Sequence, residues 1–559
     1  MANHFPDVKE FQEQFFTLLK PEGGFYKVVL IYSVAISLLT LAVPLSVQLL
    51  VDTVANIALP RAVFIIAGLL FALLFASGVM YALRTYAMEL FTRRIYARIS
   101  SEIAMTAMLA ESDYFEEHQQ ADLFNRYFDI VTLKKALPSI LTDGFTLLLQ
   151  AIIGFTVVSF YHFYFLIYCL VLIALIWLIW RIWGWSAITT SFRLSQAKYD
   201  TAAWLQSLAV TNESYRTTLD PTYAIEETDR LVGEHIECQK RHFKHTFSQL
   251  VSFLFLYASA SAVLLGVGGW LVIAGELTLG QLVAAELIML AILVGLPQLA
   301  GYLESFYEVC AAVEEISRFR EVQTQLPAKP SAVSMPERPD IVFKEVSFSR
   351  FGREKRFDFE LTAGAIVRVS GNPLSLKWLA ELMRGNYKPE GGLITLGGVD
   401  NLEIDRQSLR QSIKVIDRVT LLPMSIKTYL DLFVSSDSAY SKQQALTALQ
   451  LDDDIARLHG GLEAKLSRSG WPLTQPQAIR LKLATALLAR PKVLVLGDIV
   501  DSVQRGLVQS ILSLLEQQGT TVLYYSNSHD LSSFTHAMEI DSELQVVRVL
   551  EATTGGDRA

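Results

Sequence analysis

A glycine-led segment with a single lysine carries the clearest chemistry in this 559-residue sequence. It has the letters GNPLSLKW from Gly371 onward and follows the apolar run IVRVS. A phosphate-binding loop needs glycines that turn several backbone amides toward one phosphate, a lysine for charge, and a Ser or Thr hydroxyl for magnesium. Against the pattern GxxxxGK[ST], Gly371 and Lys377 match, and Ser375 lies inside the loop. Leu376 replaces the second glycine and Trp378 replaces the hydroxyl, so a strand, turn and helix without a ligand is an equal alternative.

Short apolar segments alternate with helical patterns around this loop, which indicates an α/β domain. The strand-like segments are Ile341–Phe348, Ile366–Ser370, Val493–Leu496 and Thr521–Tyr525. Four prolines among polar residues over 321–340 indicate a linker before this domain. We therefore predict a soluble domain over residues 341–551 and a tail over residues 552–559.

The residues before 310 have the composition of a membrane domain. The whole sequence is 52% hydrophobic, above the usual ~45 to 50%, and the excess lies in this half. A run long enough to cross a bilayer needs ~20 apolar residues. The runs of that length are Val28–Leu50, Ala62–Leu83, Gly144–Trp180, Thr246–Gly275 and Leu277–Leu303. The third is too long for one crossing and divides near Ser159–Phe163, so six helices are predicted over residues 25–320, after a cytoplasmic segment over residues 1–24.

Basic residues near the membrane predict the orientation of these helices, because Lys and Arg collect in cytoplasmic loops. Seven lie between residues 84 and 143 and eight between residues 181 and 245, whereas the opposite turns hold only Arg61. Both long loops and both termini are therefore expected in the cytoplasm. Because the loops are polar and compatible with helix, we expect the helices to continue far beyond the bilayer.

Charge and cysteine placement exclude other classes of function. The net charge is −8 and no basic cluster occurs, which argues against nucleic acid as a partner. The cysteines Cys169, Cys238 and Cys310 are scattered without a partner at metal-ligand spacing, so neither a metal site nor a disulfide framework is predicted.

The order of several segments resembles the ATP-binding cassette (ABC) exporters along the whole chain. These segments are VSFSRF, AGAIVRVSG, GGLITLGGV, LRQSIKVIDR and WPLTQPQAIRLKLATALLARPKVLVLGD. The membrane half, including YFEEHQQADLFNRYFD, is similar to the haemolysin-type and bacteriocin-type exporters. The resemblance implies a six-helix transmembrane domain followed by an α/β P-loop NTPase-like cassette. It also implies coupling helices in that last segment and near Asn212–Asp220, with ATP and Mg²⁺ as ligands.

The stretch that resembles the family signature LSGGQ has lost both glycines. It consists of Leu473, Thr474, Gln475, Pro476 and Gln477. In the family, the amides of the glycines meet the γ-phosphate bound by a partner cassette, and proline has no amide hydrogen to donate.

Other positions of the family pattern also depart from it. The strand that should end in Asp and Glu ends in Gly497 and Asp498, where Asp498 is a shortened catalytic base or, after a one-residue bulge, a magnesium ligand. Asp417 replaces the glutamine of the Q-loop, and the D-loop has the letters DSVQ. The switch residue is His529 or Asn527. The aromatic residue that stacks on adenine is replaced by Arg350 in a strict count, or is Phe351 after a one-residue shift.

Two further features of the loop and the membrane helices give specific expectations. If the loop needs a positive φ at Leu374 or Leu376, the side chain there is strained. Glu286 lies inside the sixth apolar helix, and an acid within a membrane is a candidate for the transport path. A carboxyl group that is protonated or paired inside the bundle is the alternative.

The leading hypothesis from the sequence is a half-transporter with a degenerate cassette. It would dimerise with a second half-transporter in the bacterial inner membrane and export a peptide, protein or hydrophobic compound. The family likeness adds a periplasmic adaptor and an outer-membrane channel as further partners. The alternatives are a catalytically active homodimeric exporter and a membrane scaffold or regulator that does not transport.

The topology gives the first testable prediction. A membrane-impermeant thiol reagent added to intact cells should label cysteines introduced at Thr278 and His162, because both turns are predicted outside the cytoplasm. A cysteine introduced at Glu117 should react no more than the unmodified chain does. Labelling at Glu117 would contradict the arrangement.

Overall fold

The computed structural model describes residues 13, 15–18, 20–56, 60–110, 124–217, 222–322, 333–350, 353–526, 531–540 and 547–549. Its internal contacts divide the chain into an N-terminal unit, Met1–Thr324, and a C-terminal unit, Gln325–Ala559.

Long helices build the N-terminal unit. They are α1 (Gly23–Thr40), α2 (Ala42–Asn56), α3 (Pro60–Leu109), α4 (Asp129–Ser139), α5 (Phe145–Ser159), α6 (Phe163–Val210), α7 (Asn212–Thr217), α8 (Thr222–Ile273) and α9 (Leu279–Glu321). A π-helix over Ile140–Gly144 joins α4 to α5. The described residues contain six helices that are long and apolar enough to cross a membrane. The prediction of six membrane helices is confirmed.

Helix length and helix breaks follow from the sequence. The helices α3, α6 and α8 have 50, 48 and 52 residues, or ~75 Å at helical rise, more than twice the ~30 Å of a bilayer core. The expected excess length is present, and the side of the membrane on which it lies stays a prediction. The first membrane helix is interrupted at Leu41, where Pro44 has no amide hydrogen for the carbonyl of Thr40.

Glycines allow α5 and α9 to approach each other closely. A Cβ added at Gly154 would lie 2.6 Å from Ile292 Cδ1, and one added at Gly295 would lie 2.2 Å from Leu147 Cδ1. Small residues at such points let membrane helices pack by van der Waals contact, because lipid provides no hydrophobic drive between helices. The contact fixes the face of α9 that meets α5.

Two sheets form the C-terminal unit. The strands are β1 (Ile341–Arg350), β2 (Arg353–Leu361), β3 (Ile366–Ser370), β4 (Gly391–Leu396), β5 (Val399–Asp400), β6 (Ile413–Ile416), β7 (Val493–Leu496), β8 (Thr521–Tyr525), β9 (His536–Glu539) and β10 (Val547–Val549). The first sheet is antiparallel with the order β2-β1-β4-β5, and the second has the order β10-β9-β3-β8-β7-β6. Its strands are parallel except for β10. The predicted α/β fold and its four predicted strands are confirmed.

Seven helices complete the described part of the C-terminal unit. They are α10 (Pro373–Met383), α11 (Arg406–Ser412), α12 (Ile426–Asp431), α13 (Lys442–Ala448), α14 (Asp452–Ala456), α15 (Gln475–Ala489) and α16 (Arg505–Gln517). Helix α15 contributes its buried face to a core that also contains β7 and α16. Helix α10 packs in a second core with β1, β2 and β3. The two cores hold the loops at the carboxyl ends of β3, β6 and β7 in place.

A buried ion pair connects the start of α4 to α9. Arg126 and Glu315 form it, and their side chains are 5% and 3% exposed. Arg318 Nε lies 3.4 Å from the same carboxylate, and the Arg126 guanidinium lies 5.1 Å from the centre of the Tyr199 ring on α6. Removing one partner of a buried pair leaves an uncompensated charge.

The second prediction tests this pair. Glu315→Gln should lower the free energy of unfolding by about 3 kcal/mol, because it removes one partner of a buried ion pair with Arg126. The denaturant midpoint of the purified protein in detergent measures the change. The control is Glu237→Gln, which removes an exposed pair with Arg241 at 3.2 Å and should cost less than about 1 kcal/mol. Equal losses in both variants would show that Arg126 and Glu315 do not stabilise the unit.

Candidate functional site

The loop after β3 is closed by a helix cap. Helix α10 begins at Pro373, and the side chain of Asn372 accepts a hydrogen bond from the amide of Leu374 at 3.0 Å. The amide of Ser375 donates to the carbonyl of Asn372, also at 3.0 Å. Asn is a preferred N-cap and Pro a preferred first helical residue, so the sequence favours a helix that starts only two residues after Gly371.

This cap uses amides that a phosphate-binding loop would direct at its ligand. Gly371 has φ +117°, which glycine adopts readily, and its carbonyl accepts a hydrogen bond from Tyr525 Oη at 2.5 Å. Leu374 and Leu376 lie inside α10, and neither has a positive φ. The strain expected at these two leucines is therefore absent, because the segment is helical and does not form a glycine-type loop.

The side chains that replace the family residues enter the core of the C-terminal unit. Leu376 and Trp378 are 3% and 2% exposed. The indole of Trp378 meets Phe348 edge-on at 5.7 Å, and Phe348 stacks on Tyr387 at 5.2 Å. The guanidinium of Arg350, the residue at the adenine-stacking position in a strict count, lies 4.6 Å from the centre of the Tyr387 ring. At the sequence position where the family pattern has a magnesium-binding hydroxyl, this chain therefore has a buried indole.

Ser375 and Lys377 differ in their exposure to solvent. Ser375 is 1% exposed, so its side chain is enclosed by protein. Lys377 is partly exposed on α10 and also interacts within the protein. Of the predicted nucleotide-binding residues that are described, only Gly371 and Lys377 remain open to solvent.

The carboxyl ends of β6 and β7 approach closely at a glycine. The amide of Gly497 donates to the carbonyl of Ile416 at 2.9 Å, and a Cβ at Gly497 would lie 3.1 Å from the Cα of Asp417. A carboxylate at this position would need the neighbouring backbone to shift. Asp417 itself pairs with Arg418 at 3.3 Å. Asp498 is exposed and begins a short 3₁₀ helix over Asp498–Ser502.

The strands that precede Lys377 and Asp498 are not neighbours in the sheet. Strand β8 lies between β3 and β7, so the two strand ends are roughly 10 Å apart at the usual spacing of strands. In the D-loop, Asp501 accepts hydrogen bonds from Tyr524 Oη at 2.5 Å and from Ser526 Oγ at 2.9 Å. The predicted candidates Phe351, Asn527 and His529 lie outside the described residues.

The signature-like stretch forms the start of α15. Thr474 is the N-cap residue, and its amide donates to Gln477 Oε1 at 2.8 Å. Leu473 is buried, whereas Thr474, Gln475 and Pro476 are exposed. The start of α15 is thus exposed to solvent, but Pro476 has no amide hydrogen to donate there.

Two partly buried lysines lie near the end of β6. Lys414 Nζ donates to Thr485 Oγ1 at 2.6 Å and lies 4.2 Å from the centre of the Phe433 ring. Burial and the nearby charge of Lys482 lower the pKa of Lys414 to about 7. Burial also lowers the pKa of Lys482, an effect that the carboxylate of Asp417 opposes. Sequence analysis did not identify either lysine, because nothing in the local pattern indicates burial of their ammonium groups.

Charged groups also occur inside the N-terminal unit. Glu286 lies on α9, and its Oε1 atom is buried and has no hydrogen-bond partner among the described residues. Arg84 on α3 is 2% exposed and contacts residues of α1 and of the π-helix. Sequence analysis counted Arg84 only among the basic residues of a loop and did not single out Asp143. The signal available for finding them was that each one directly ends an apolar run.

Comparisons with known proteins agree with this architecture. Residues 27–216 match the family model "ABC transporter transmembrane region". A solved structure of a bacterial Atm1-family ABC exporter with ATP bound superposes with a TM-score of 0.79 at 18% identity, covering 95% of each chain. The chain is therefore similar to ABC exporters in its transmembrane region and in its fold. Because the identity is low, the structural likeness supports the exporter fold alone.

Two curated relatives of this chain differ in the function that their names give. The first is the probable multidrug resistance ABC transporter ATP-binding/permease protein YheI of Bacillus subtilis, 26% identical over 281 residues, which are 49% of this chain and 48% of the relative. The second is the alpha-hemolysin translocation ATP-binding protein HlyB of Escherichia coli O157:H7, 26% identical over 295 residues, 50% of this chain and 41% of the relative. The matched part spans about half or less of each.

Lys414 gives the third prediction, which concerns how the stability of the chain depends on pH. Because the pKa of Lys414 is about 7 in the folded chain and ordinarily near 10.4, the unfolded chain binds more protons between these values. Stability should therefore rise with pH above 7, by at most about 1.4 kcal/mol per pH unit from this residue. Lys414→Met should stabilise the protein at pH 7. It should also reduce the increase in the free energy of unfolding between pH 7 and pH 9.

Denaturant midpoints of the full chain in detergent at several pH values measure this effect. Lys427→Met is the matched control, because Lys427 forms an exposed pair with Glu463 at 3.1 Å. It should leave the pH profile as it is. A profile that is unchanged in Lys414→Met would show that the ammonium of Lys414 is solvated in the folded chain.

Proposed function

We propose that this chain is a half-transporter whose cassette does not hydrolyse ATP by itself. The observation that carries the proposal is the closed loop after β3. There the side chain of Asn372 accepts a hydrogen bond from the amide of Leu374, and the carbonyl of Asn372 accepts one from the amide of Ser375. Backbone amides at a helix N-terminus bind phosphate only when they lack other partners. These two amides already have partners inside the chain.

The residues present do not fit magnesium-bound ATP in the manner of the family. Trp378 fills the hydroxyl position with a buried indole, and Gly497 has no carboxylate. Losing one well-placed donor at a developing charge costs ~10² to 10³ in rate, and phosphoryl transfer depends on several such groups acting together. The separate losses support a cassette retained for its fold and its dimer surface.

The signature-like stretch extends this argument to a second cassette. In two-chain exporters of this family, each ATP site joins the loop of one cassette to the signature of the other. Pro476 lies on the exposed start of α15 and weakens the site of a partner as well. We infer a heterodimer with a catalytically competent half-transporter, since half a path cannot enclose a route through lipid.

The location and cargo follow from the relatives and from the charge pattern. The fifteen Lys and Arg of the two long loops support a bacterial inner membrane protein with both termini in the cytoplasm. The names of YheI and HlyB support a hydrophobic compound, a peptide or a protein as cargo. If the cell has an outer membrane, a periplasmic adaptor and an outer-membrane channel complete the route.

A catalytically active homodimer is the second candidate. Gly371 keeps its positive φ and Lys377 remains partly exposed on α10, so a charge is still available beside the loop. In that case Lys377 and Asp498 would support slow hydrolysis. A scaffold that does not transport is the third candidate, and it predicts that no second half-transporter binds the chain.

The fourth prediction separates these candidates by the rate of ATP hydrolysis. The purified chain should show no magnesium-dependent hydrolysis above a Lys377→Ala control, because several groups of the phosphoryl-transfer apparatus are missing. Trp378→Ser alone should not restore hydrolysis. Turnover by the unmodified chain that disappears in Lys377→Ala would support the homodimeric ATPase and refute the proposal.

Gentle purification of the tagged chain from its own host provides the second measurement. A half-transporter with intact motifs should copurify, and the complex should hydrolyse ATP in a way that tolerates Lys377→Ala in this chain. Recovery of the chain as a well-behaved monomer, with no second half-transporter, would favour the scaffold.

A further inference from the structure

A cavity of about 270 Å³ lies between four helices of the N-terminal unit. Its walls come from α1, α3, α9, and the π-helix together with α5. Asp143, Thr146 and Gln150 are three or four residues apart, so they share one helix face. On α9, Gln298 and Tyr302 line the cavity at the same kind of spacing. Polar side chains from several helices that contain apolar runs thus face one cavity, and ionisable groups in such helices are candidates for function.

Arg84 also lines the cavity, and hydrogen bonds to residues of α1, the π-helix and α5 hold its guanidinium in place. Its Nη1 atom donates to Ser33 Oγ on α1 at 3.2 Å and to the Thr142 carbonyl at 3.2 Å, and it also donates to Thr146 Oγ1. The side chain is 3% exposed. These three acceptors are neutral, so they hold the guanidinium in place without cancelling its charge.

Asp143 supplies the accessible charge of the cavity. Its side chain is 48% exposed, and its Oδ1 atom lies 3.8 Å from Arg84 Nη2. That distance allows electrostatic attraction but exceeds the 2.7 to 3.2 Å of a hydrogen bond. A carboxylate has about four acceptor positions. Arg84 therefore leaves acceptor positions of the Asp143 carboxylate open toward the cavity.

Neutral hydrogen-bonding groups surround this carboxylate. The side chains of Gln150, Gln298 and Tyr302 line the cavity, and each of them combines donor and acceptor capacity. Of the two charged side chains that line the cavity, Asp143 is far more accessible than Arg84, with 48% against 3% of the side chain exposed. A cationic donor meets the carboxylate directly and finds acceptors beside it.

We propose that this cavity binds an organic cation, an ammonium or guanidinium group, at the carboxylate of Asp143. The group belongs either to a small amine or to a Lys or Arg side chain of a peptide. As a step in export the inference rests on the proposed function, but the binding itself requires neither ATP nor a second half-transporter. Arg84 positions the helix faces around the site, and Gln150 and Gln298 contact the bound group.

Equilibrium binding to the purified full chain in lipid nanodiscs tests the proposal. The probes are Nα-acetyl-lysine amide, Nα-acetyl-arginine amide and the uncharged Nα-acetyl-norleucine amide, with a glycine-flanked peptide that carries lysine or norleucine. The cationic probes should bind at least about tenfold more tightly than the norleucine probe, as one charge-assisted hydrogen bond requires. Asp143→Asn should remove this preference and leave the affinity for norleucine unchanged.

Glu304→Gln is the matched control, since Glu304 is an exposed acid on α9 that is not part of the cavity wall. It should keep the preference for cations. Tighter binding of the lysine peptide assigns the group to a peptide side chain, and tighter binding of the free derivatives assigns it to a small amine; both support the site. No preference in the unmodified chain, a preference retained in Asp143→Asn, or an equal loss in Glu304→Gln would overturn it.

Failure of the export hypothesis has a different signature. If the chain binds cations through Asp143 but never copurifies with a second half-transporter, the result supports the cation site and refutes the proposed function. If the chain copurifies with a second half-transporter and supports ATP hydrolysis but does not bind cations selectively, the result supports the proposed function and refutes the cation site.

Discussion

Every backbone amide and carbonyl in a lipid environment must find its partner inside the protein, and this constraint shapes the N-terminal unit. Helices satisfy it within one segment, which is why the apolar runs of the sequence form continuous helices. Hydroxyl groups in these runs obey the same constraint. Thr156 and Ser259 donate to the carbonyls four residues earlier, each at 2.7 Å. The break at Leu41 occurs where proline removes a donor.

The same requirement explains the altered loop of the C-terminal unit. The first amides of a helix lack partners within the helix, so a side-chain cap or a bound anion must supply them. In the ABC exporter pattern a phosphate has this role. In this chain, Asn372 and the turn that it begins provide the partners for the first amides of α10. One substitution in the loop thus changes more than one contact, because it changes where the helix starts and which side chains become buried.

Membrane helices and strands could be predicted because their signals extend over many residues. Runs of twenty apolar residues and the strands at β3, β7 and β8 depend on composition and period, which tertiary contacts rarely override. The start of α10 could also have been predicted from Asn372 and Pro373, had the family pattern not been preferred to capping chemistry. The partial burial of Lys414 and the meeting of Arg84 with Asp143 depend on distant segments, so no local pattern contains them.

The two units differ in how they place polar groups, and the difference indicates where this chain carries out its specific work. In the C-terminal unit, Leu376 and Trp378 occupy positions that the family gives to glycine and a hydroxyl, and both add to the core. Burying apolar surface stabilises the fold. In the N-terminal unit, Arg84 and the Oε1 atom of Glu286 are buried within apolar helices, which costs free energy. Helices already joined by close contacts at Gly154 and Gly295 do not need such charges for cohesion. The proposed cation site at Asp143 gives Arg84 a role, because Arg84 lies beside that carboxylate and joins the helices around it.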